Sequence, residues 1–383
     1  MQLPIPYTKH AFTETDIAAA MAVLKEGAIS QGTQTPAFEA AMAAYTAAKH
    51  AIAVSSGSAA LHLAVRALGI KPGQKVLTTA NTFVATANAI LHNGGTVVFA
   101  DIDPQTFCIN IDHARRLLAA HPRGAFAGII VVHFAGLLVD MPAWRTLADE
   151  YGCWLLEDAS HALGAQRTVG NVTYGAGSSL AHAAVFSFHA TKHITTGEGG
   201  MVVTASNEVA ACVRLARTNY MLKPIGAELD AQGGWFFTIN EAGFNYRLSD
   251  INSALGLSQL GRLDQNLEKL RRLAKTYDAA FANSNVKPQQ VPANTQHAYH
   301  PYVIQTPRRR ALYDYLKTKQ IYTQVHYVPL HLQPLFAGLG WQAGHLPHTE
   351  AYYAHCLSIP MYATLQPEQQ QYVIDCIMGF FND

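Results

Sequence analysis

Between about Ala51 and Thr204 the chain alternates short apolar runs with longer stretches of mixed polarity. Seven runs stand out: AIAV, KVLT, TVVFA, GIIVV, CWLLE, AAVFSF and MVVT. They are rich in β-branched residues and lack polar alternation, the pattern of strands covered on both faces. Such runs separated by helical stretches predict βαβ units and a mostly parallel sheet. One helix can be placed directly. After AIAV, the stretch SSGSAALHLAVRALG sets Leu61, Ala64, Val65 and Leu68 on one face, and Gly69 can end it.

The pattern changes after residue 247. Leu248 to Phe281 reads as largely helical, with Leu255, Leu260, Leu263, Leu267 and Leu270 on an apolar face. A strand-like PYVIQT follows, then a helix from about Arg309, a second strand near YTQVHY and closing helices. These features predict a large α/β domain over 1–247. A linking helix and a smaller C-terminal α/β domain follow over 248–383. Lys223 to Thr238, rich in Gly and aromatics, reads as a loop or lid. Neither an internal repeat nor a low-complexity tract is visible.

Composition narrows the function classes. The 383 residues are 49% hydrophobic and carry a net charge of +1. Without a basic excess there is no means of binding nucleic acid through its phosphates. No apolar run is long enough to span a membrane, and the N-terminal MQLPIPYTKH lacks the apolar core of a signal peptide. The five cysteines are far apart and read as reduced thiols of a cytoplasmic protein. The 18 histidines are scattered, and none has zinc-site spacing, so no metal is expected.

Three motifs carry chemistry. In SSGSAAL, the amides near Gly57, Ser58 and Ala59 would form a helix N-terminus able to hold an anion, with the Ser58 hydroxyl as a further donor; alone, the stretch favours a plain N-cap at Ser58. Asp158 ends the strand CWLLED, at the sheet edge where open α/β folds bind ligands. An isolated Asp there more often caps a turn, but it can also hold a proton on a pyridine-type nitrogen. Lys192, in FSFHATKHITTGEGG, follows a later strand and so lies at the same edge. A half-buried lysine loses solvation, its pKa falls, and its free amine can form a Schiff base. Ser187 and the glycines of TTGEGG allow close approach of a phosphate. A phosphate cradle, a pyridinium partner and a Schiff-base lysine, in this order, are what pyridoxal 5′-phosphate (PLP) requires. Phe83, in TTANTFVATANAI, adds an aromatic face for the ring, or simply packs in the core.

These stretches resemble the DegT/DnrJ/EryC1/StrS family of PLP-dependent nucleotide-sugar aminotransferases. SSGSAALHLA, TFVATANAI, EDASHALGA, FSFHATKHITTGEGG and FNYRLSDINSALGLSQL match its landmarks in order, over nearly the whole chain. The resemblance implies fold type I of the PLP-dependent transferases, the aspartate aminotransferase-like α/β fold. Lys192 then matches the Schiff-base lysine and Asp158 the pyridinium partner. Ser187 with the Ser58 and Ala59 amides matches the phosphate cradle, and Phe83 the ring-stacking position. His161 falls beside the cofactor's phenolic oxygen. Asn245 matches a residue that reaches the neighbouring subunit's cofactor, implying a homodimer with shared active sites. Arg217, Arg247 and His326 match the substrate side.

DASHALG, VFSFHATKHITT, RTNYML and QVHYVPLH are most similar to the family's pseudaminic acid pathway branch. That branch implies transfer of an amino group from glutamate to C4 of a UDP-linked 4-keto-6-deoxy-N-acetylhexosamine. Some members carry His in place of the lysine and act as sugar dehydratases. His193 directly follows Lys192, so the register of this loop decides the reaction. The spacing from Ser187 to the glycines puts Lys192 in the lysine slot.

Overall fold

A computed structural model describes residues 4–223 and 233–382. The middle of the Lys223 to Thr238 segment lies outside the described residues. All seven apolar runs become strands of one sheet: β1 His50–Val54, β2 Lys75–Thr79, β3 Thr96–Ala100, β4 Phe126–Val132, β5 Trp154–Asp158, β8 Ala183–Ser187 and β9 Gly200–Thr204. A short hairpin, β6 Gln166–Val169 and β7 Val172–Gly175, lies between β5 and β8. The sheet order is β1-β9-β8-β5-β4-β2-β3. The contacts from β3 through β8 are parallel, and β9 runs antiparallel to both of its neighbours.

The unbroken apolar runs follow from burial on both faces. In β1, Ala51 and Ala53 join one core cluster while Ile52 and Val54 join another. The second cluster is covered by α3 (Gly57–Ala67), α4 (Val84–His92) and α7 (Asn207–Ala216). The first lies under α2 (Gln34–Thr46), α5 (Ile111–Ala119), α6 (Met141–Tyr151) and α9 (Leu263–Phe281). The expected helical stretch from Leu248 is two helices, α8 (Asp250–Leu260) and α9, separated at Gly261 and Arg262. The Arg262 guanidinium turns to Asp16 on α1 (Glu14–Glu26), with bonds of 2.6 and 2.5 Å, and ties the break to the N-terminal helices.

Beyond α9, Lys287–Pro288, Tyr302–Gln305 and Cys356–Ile359 form a three-stranded antiparallel sheet flanked by helices. PYVIQT is its central strand, and the helix near Arg309 spans Arg309–Thr318. YTQVHY differs from expectation: it is irregular and meets the sheet through the Gln324–Ser358 bridge and the His326–Ser358 side-chain bond rather than as a strand. Its side chains instead line a cavity. None of the described helices is long and apolar enough to cross a membrane. The five cysteines are unpaired.

β1 is an edge strand, and side chains close its open rim. Glu39 accepts from the Ala53 amide at 2.9 Å, and Arg217 donates to the Ala53 carbonyl at 2.6 Å. Arg217 and Glu39 also pair with each other, both largely buried. The Ser55 amide bonds to Tyr246 O, and Val54 bridges Arg247. Glu39→Ala would leave a buried guanidinium and a strand amide without their acceptor. It is expected to lower stability by about 2–4 kcal/mol, seen as a lower thermal midpoint; an unchanged midpoint would show that solvent replaces the pair.

Candidate active site

The carboxyl edge of the sheet delivers the side chains. Ser56 follows β1, Thr82 and Phe83 follow β2, Asp158 ends β5 and Ser187 ends β8. Together with the Lys192 loop they line a cavity of about 730 Å³. Because β9 is antiparallel, its first residue, Gly200, lies at this same edge, opposite both Val54 and Ser187. A Cβ on Gly200 would come within 2.4 Å of the Ser56 carbonyl oxygen, and one on Gly57 within 2.9 Å of Ser187 Cβ. Gly200 brings its backbone against that of Ser56, and Gly57 lets the Ser187 side chain pack against the start of α3.

Ser56, not Ser58, caps α3. Its Oγ accepts from the Ala59 amide at 3.0 Å, so Ala59 is already partnered and buried. Gly57 and Ser58 line the cavity in its place. Of the residues expected at a phosphate cradle, Ser58 and Ser187 line the cavity and Ala59 does not.

Asp158 is buried at 5% exposure and held on both oxygens. Thr86 donates to Oδ2 at 2.7 Å, and Ser160 donates to Oδ1 through its hydroxyl at 2.6 Å and its amide at 3.2 Å. Thr82 bonds Thr86 at 2.8 Å and extends the chain. Bonds to a charged acceptor contribute about 1.5–3 kcal/mol each, so the carboxylate is oriented before any ligand arrives. Its neighbour Glu157 belongs to the other face of the sheet and pairs with buried His133 at 2.8 Å. Phe83 is 57% exposed, which excludes core packing.

Lys192 reaches into the cavity, and Nζ lies 3.3 Å from His300 Nε2. Burial lowers its pKa to about 8, against a smaller upward pull from Asp158. His161 Nε2 meets the Tyr327 hydroxyl at 3.1 Å, while its buried Nδ1 has no partner. Burial, then the charge of Lys192, holds His161 and His300 well below the usual histidine pKa and His326 at about 3. His326 lines the cavity and bonds Ser358 at 2.7 Å. His193 faces elsewhere: its Nε2 meets the Ala298 carbonyl at 3.0 Å, beside a second, much smaller cavity.

An amine in a desolvated cavity, a pre-oriented carboxylate, an exposed ring and free helix-start amides suit a phosphorylated pyridine aldehyde. The profile of the DegT/DnrJ/EryC1/StrS aminotransferase family matches residues 10–378. The chain belongs to this family. It is 35% identical to the spore coat polysaccharide biosynthesis protein SpsC of Bacillus subtilis (strain 168), covering 97% of this chain and 96% of that one. Among solved structures it is similar to Helicobacter pylori PseC, an aminotransferase involved in the biosynthesis of pseudoaminic acid. That match has a TM-score of 0.90 and 30% identity, over 99% of this chain and 100% of that one. The putative sugar aminotransferase Spr1654 of Streptococcus pneumoniae, PMP-form, matches with a TM-score of 0.90 and 26% identity, over 98% of each chain.

As a member of the family, the chain is a PLP-dependent sugar aminotransferase. Besides Ala59, three expected site residues lie outside this chain's cavity. Arg217 closes the β1 rim, Arg247 bridges β1 through its backbone, and Asn245 is exposed beside its bridge to Thr218. Thr86, Ser160, Tyr327 and His300 were missed. Thr86 and Ser160 stand in motifs already singled out, three residues after Phe83 and two after Asp158. His300 has no local signal, because only the tertiary fold brings it to Lys192.

The lowered pKa has a direct readout. Amine reagents attack the unprotonated form, so Lys192 in the cofactor-free protein is expected to be half-maximally labelled near pH 8. An ordinary lysine titrates near ~10.4. A midpoint in that ordinary range, followed by peptide mass spectrometry, would mean the amine is solvated.

Proposed function

We propose that the protein moves the amino group of glutamate to C4 of a UDP-linked 4-keto-6-deoxy-N-acetylhexosamine, the pseudaminic acid type of reaction. The observation that carries this reading is Lys192, rather than His193, in the large cavity with Asp158 and Phe83. The likeness to PseC over the full chain supports the choice of sugar, as do DASHALG, RTNYML and QVHYVPLH.

Gly57 and Ser58 amides with the Ser58 and Ser187 hydroxyls would hold the cofactor phosphate. Asp158 would hold the proton on the ring nitrogen, Phe83 would cover one ring face, and His161 would stand by the phenolic oxygen. When bound, PLP supplies an aldehyde that captures the amino group and a ring that delocalises the electron pair left on the donor carbon. Lys192 Nζ takes the proton from the donor's α-carbon, and the second half-reaction reverses the sequence on the sugar. With a pKa near 8 the amine both takes and gives a proton near neutrality. Lys192 is the only lysine or arginine among the residues lining the cavity. Asn245 and Arg247 are assigned to a neighbouring chain's site, which makes the working unit a homodimer.

Lys192→Ala is expected to lose the cofactor's visible absorption band and all turnover. Asp158→Ala should still bind PLP but transaminate about 10²–10⁴ more slowly. Wild-type protein with glutamate and the keto sugar should release 2-oxoglutarate and an amino sugar, identified by NMR. Parallel dTDP- and GDP-linked sugars test the nucleotide, and a deoxygenated product without amination would identify a dehydratase. Mixing Lys192→Ala with Asn245→Ala subunits should restore activity that neither has alone, if the sites are shared.

A further inference from the structure

The roles assigned so far make no use of His300, although it is the hydrogen-bonding partner of Lys192 Nζ. Its ring is placed by backbone, not by chance packing. The His300 amide donates to the Ala135 carbonyl at 2.6 Å, and the Ala298 amide to the Gly136 carbonyl at 3.1 Å. Gly136 has φ +100°, and a Cβ there would lie 2.8 Å from His161 O and 2.9 Å from the Tyr299 amide. Only glycine lets the loop that carries His300 come this close to the turn after Asp158.

The groups facing Lys192 come from every surrounding element. Asp158 comes from β5, His161 from the turn after it, and His193 from the lysine's own loop. His300 comes from the loop before Tyr302, and His326 from the irregular C-terminal segment. Asp158 is the carboxylate whose charge acts on the amine, and both of its oxygens are already engaged by Thr86 and Ser160; Glu198, from the lysine's own loop, also lines the cavity. His161 Nε2 is engaged by Tyr327, His193 by Ala298 and His326 by Ser358. The other imidazoles approach the His300 ring only through ring contacts, His161 at 4.8 Å and His193 at 5.4 Å. Burial keeps the His300 ring neutral, so one ring nitrogen has a free lone pair.

We propose that His300 is a positioning residue for Lys192: its unprotonated Nε2 accepts a hydrogen bond from the Lys192 ammonium whenever that amine is not bonded to cofactor. The amine would be released when the donor enters in the first half of the reaction and recaptured at the end of the second, and in between it must stay where it can take and return a proton. His300 holds it there. A bond to the charged form also raises the amine's proton affinity, opposing the effect of burial. This assignment rests on Lys192 being the cofactor lysine.

The test uses the cofactor-free full chain and pH-dependent acetylation of Lys192, read by peptide mass spectrometry. His300→Phe keeps an aromatic ring but removes the acceptor. The Lys192 midpoint should move down by about half a pH unit or more, roughly threefold in proton affinity, with the other lysines unmoved. His300→Gln, which retains an acceptor oxygen, should restore the midpoint toward wild type. In wild-type protein, ¹⁵N NMR of the histidines should show His300 as the Nδ1–H tautomer, with an Nε2 signal that shifts in Lys192→Met. This measurement stands even where His300→Phe does not fold. An unmoved midpoint in His300→Phe, or a protonated Nε2 in the wild type, overturns the proposal. Failure of the underlying reading is separate: it shows as a cofactor absorption band that survives in Lys192→Ala, whatever the His300 variants do.

Discussion

The structure depends on keeping one amine out of water without neutralising it outright. Full desolvation would push a lysine toward the uncharged form, whereas a strong ion pair would lock it protonated. Lys192 sits between these limits. Burial dominates, Asp158 pulls weakly the other way, and the surrounding histidines are held neutral by the same burial. A pKa near 8 is the resultant, close enough to neutrality for one nitrogen to take and give a proton.

That balance requires Asp158 to be near the amine but occupied. Thr86 and Ser160 do this by donating to the carboxylate from opposite oxygens. They fix its direction and take up both oxygens, which leaves it only a weak hold on Lys192. The β-strand alternation contributes the same economy of placement. Glu157, one residue earlier, points through the opposite face to His133, so two adjacent carboxylates never compete for one site.

Much of this was legible in the chain, and the reason is local. The sheet follows from apolar runs whose both faces must be covered, and Asp158, Ser187 and Lys192 follow from their place just beyond strand ends. What escaped reading depends on approach between distant segments. Ser56 replaced Ser58 as cap because the helix begins one turn boundary earlier, at Gly57, where β9 and β8 crowd the backbone. YTQVHY has the composition of a strand, yet a cavity wall, not a sheet, is what it forms. Arg217 stands in a motif suggestive of substrate, but an open strand edge has unpaired backbone groups, and Arg217 with Glu39 satisfies them. His300 lies 108 positions from Lys192, so no periodicity could have joined them.

The two walls of the cavity are built differently. The cofactor side rises from strand ends buried on both faces, where a changed side chain disturbs the core. The other side is the irregular segment through Gln324, His326, Tyr327 and Val328. It is anchored along its length and at its end: Gln324 pairs with Ser358, the His326 carbonyl accepts from the Tyr352 hydroxyl at 2.7 Å, the Leu330 amide bonds Ala80 O, and Leu330 and Phe336 enter the large sheet's core. Buried Asp101, beyond β3, accepts from the His348 and Thr349 amides at 2.9 and 2.8 Å and fixes the helix Pro347–His355 that follows. Val328, just before Leu330, is 41% exposed, and it lines the cavity together with Gln333. A change there leaves the placement of Asp158, set by the sheet, untouched.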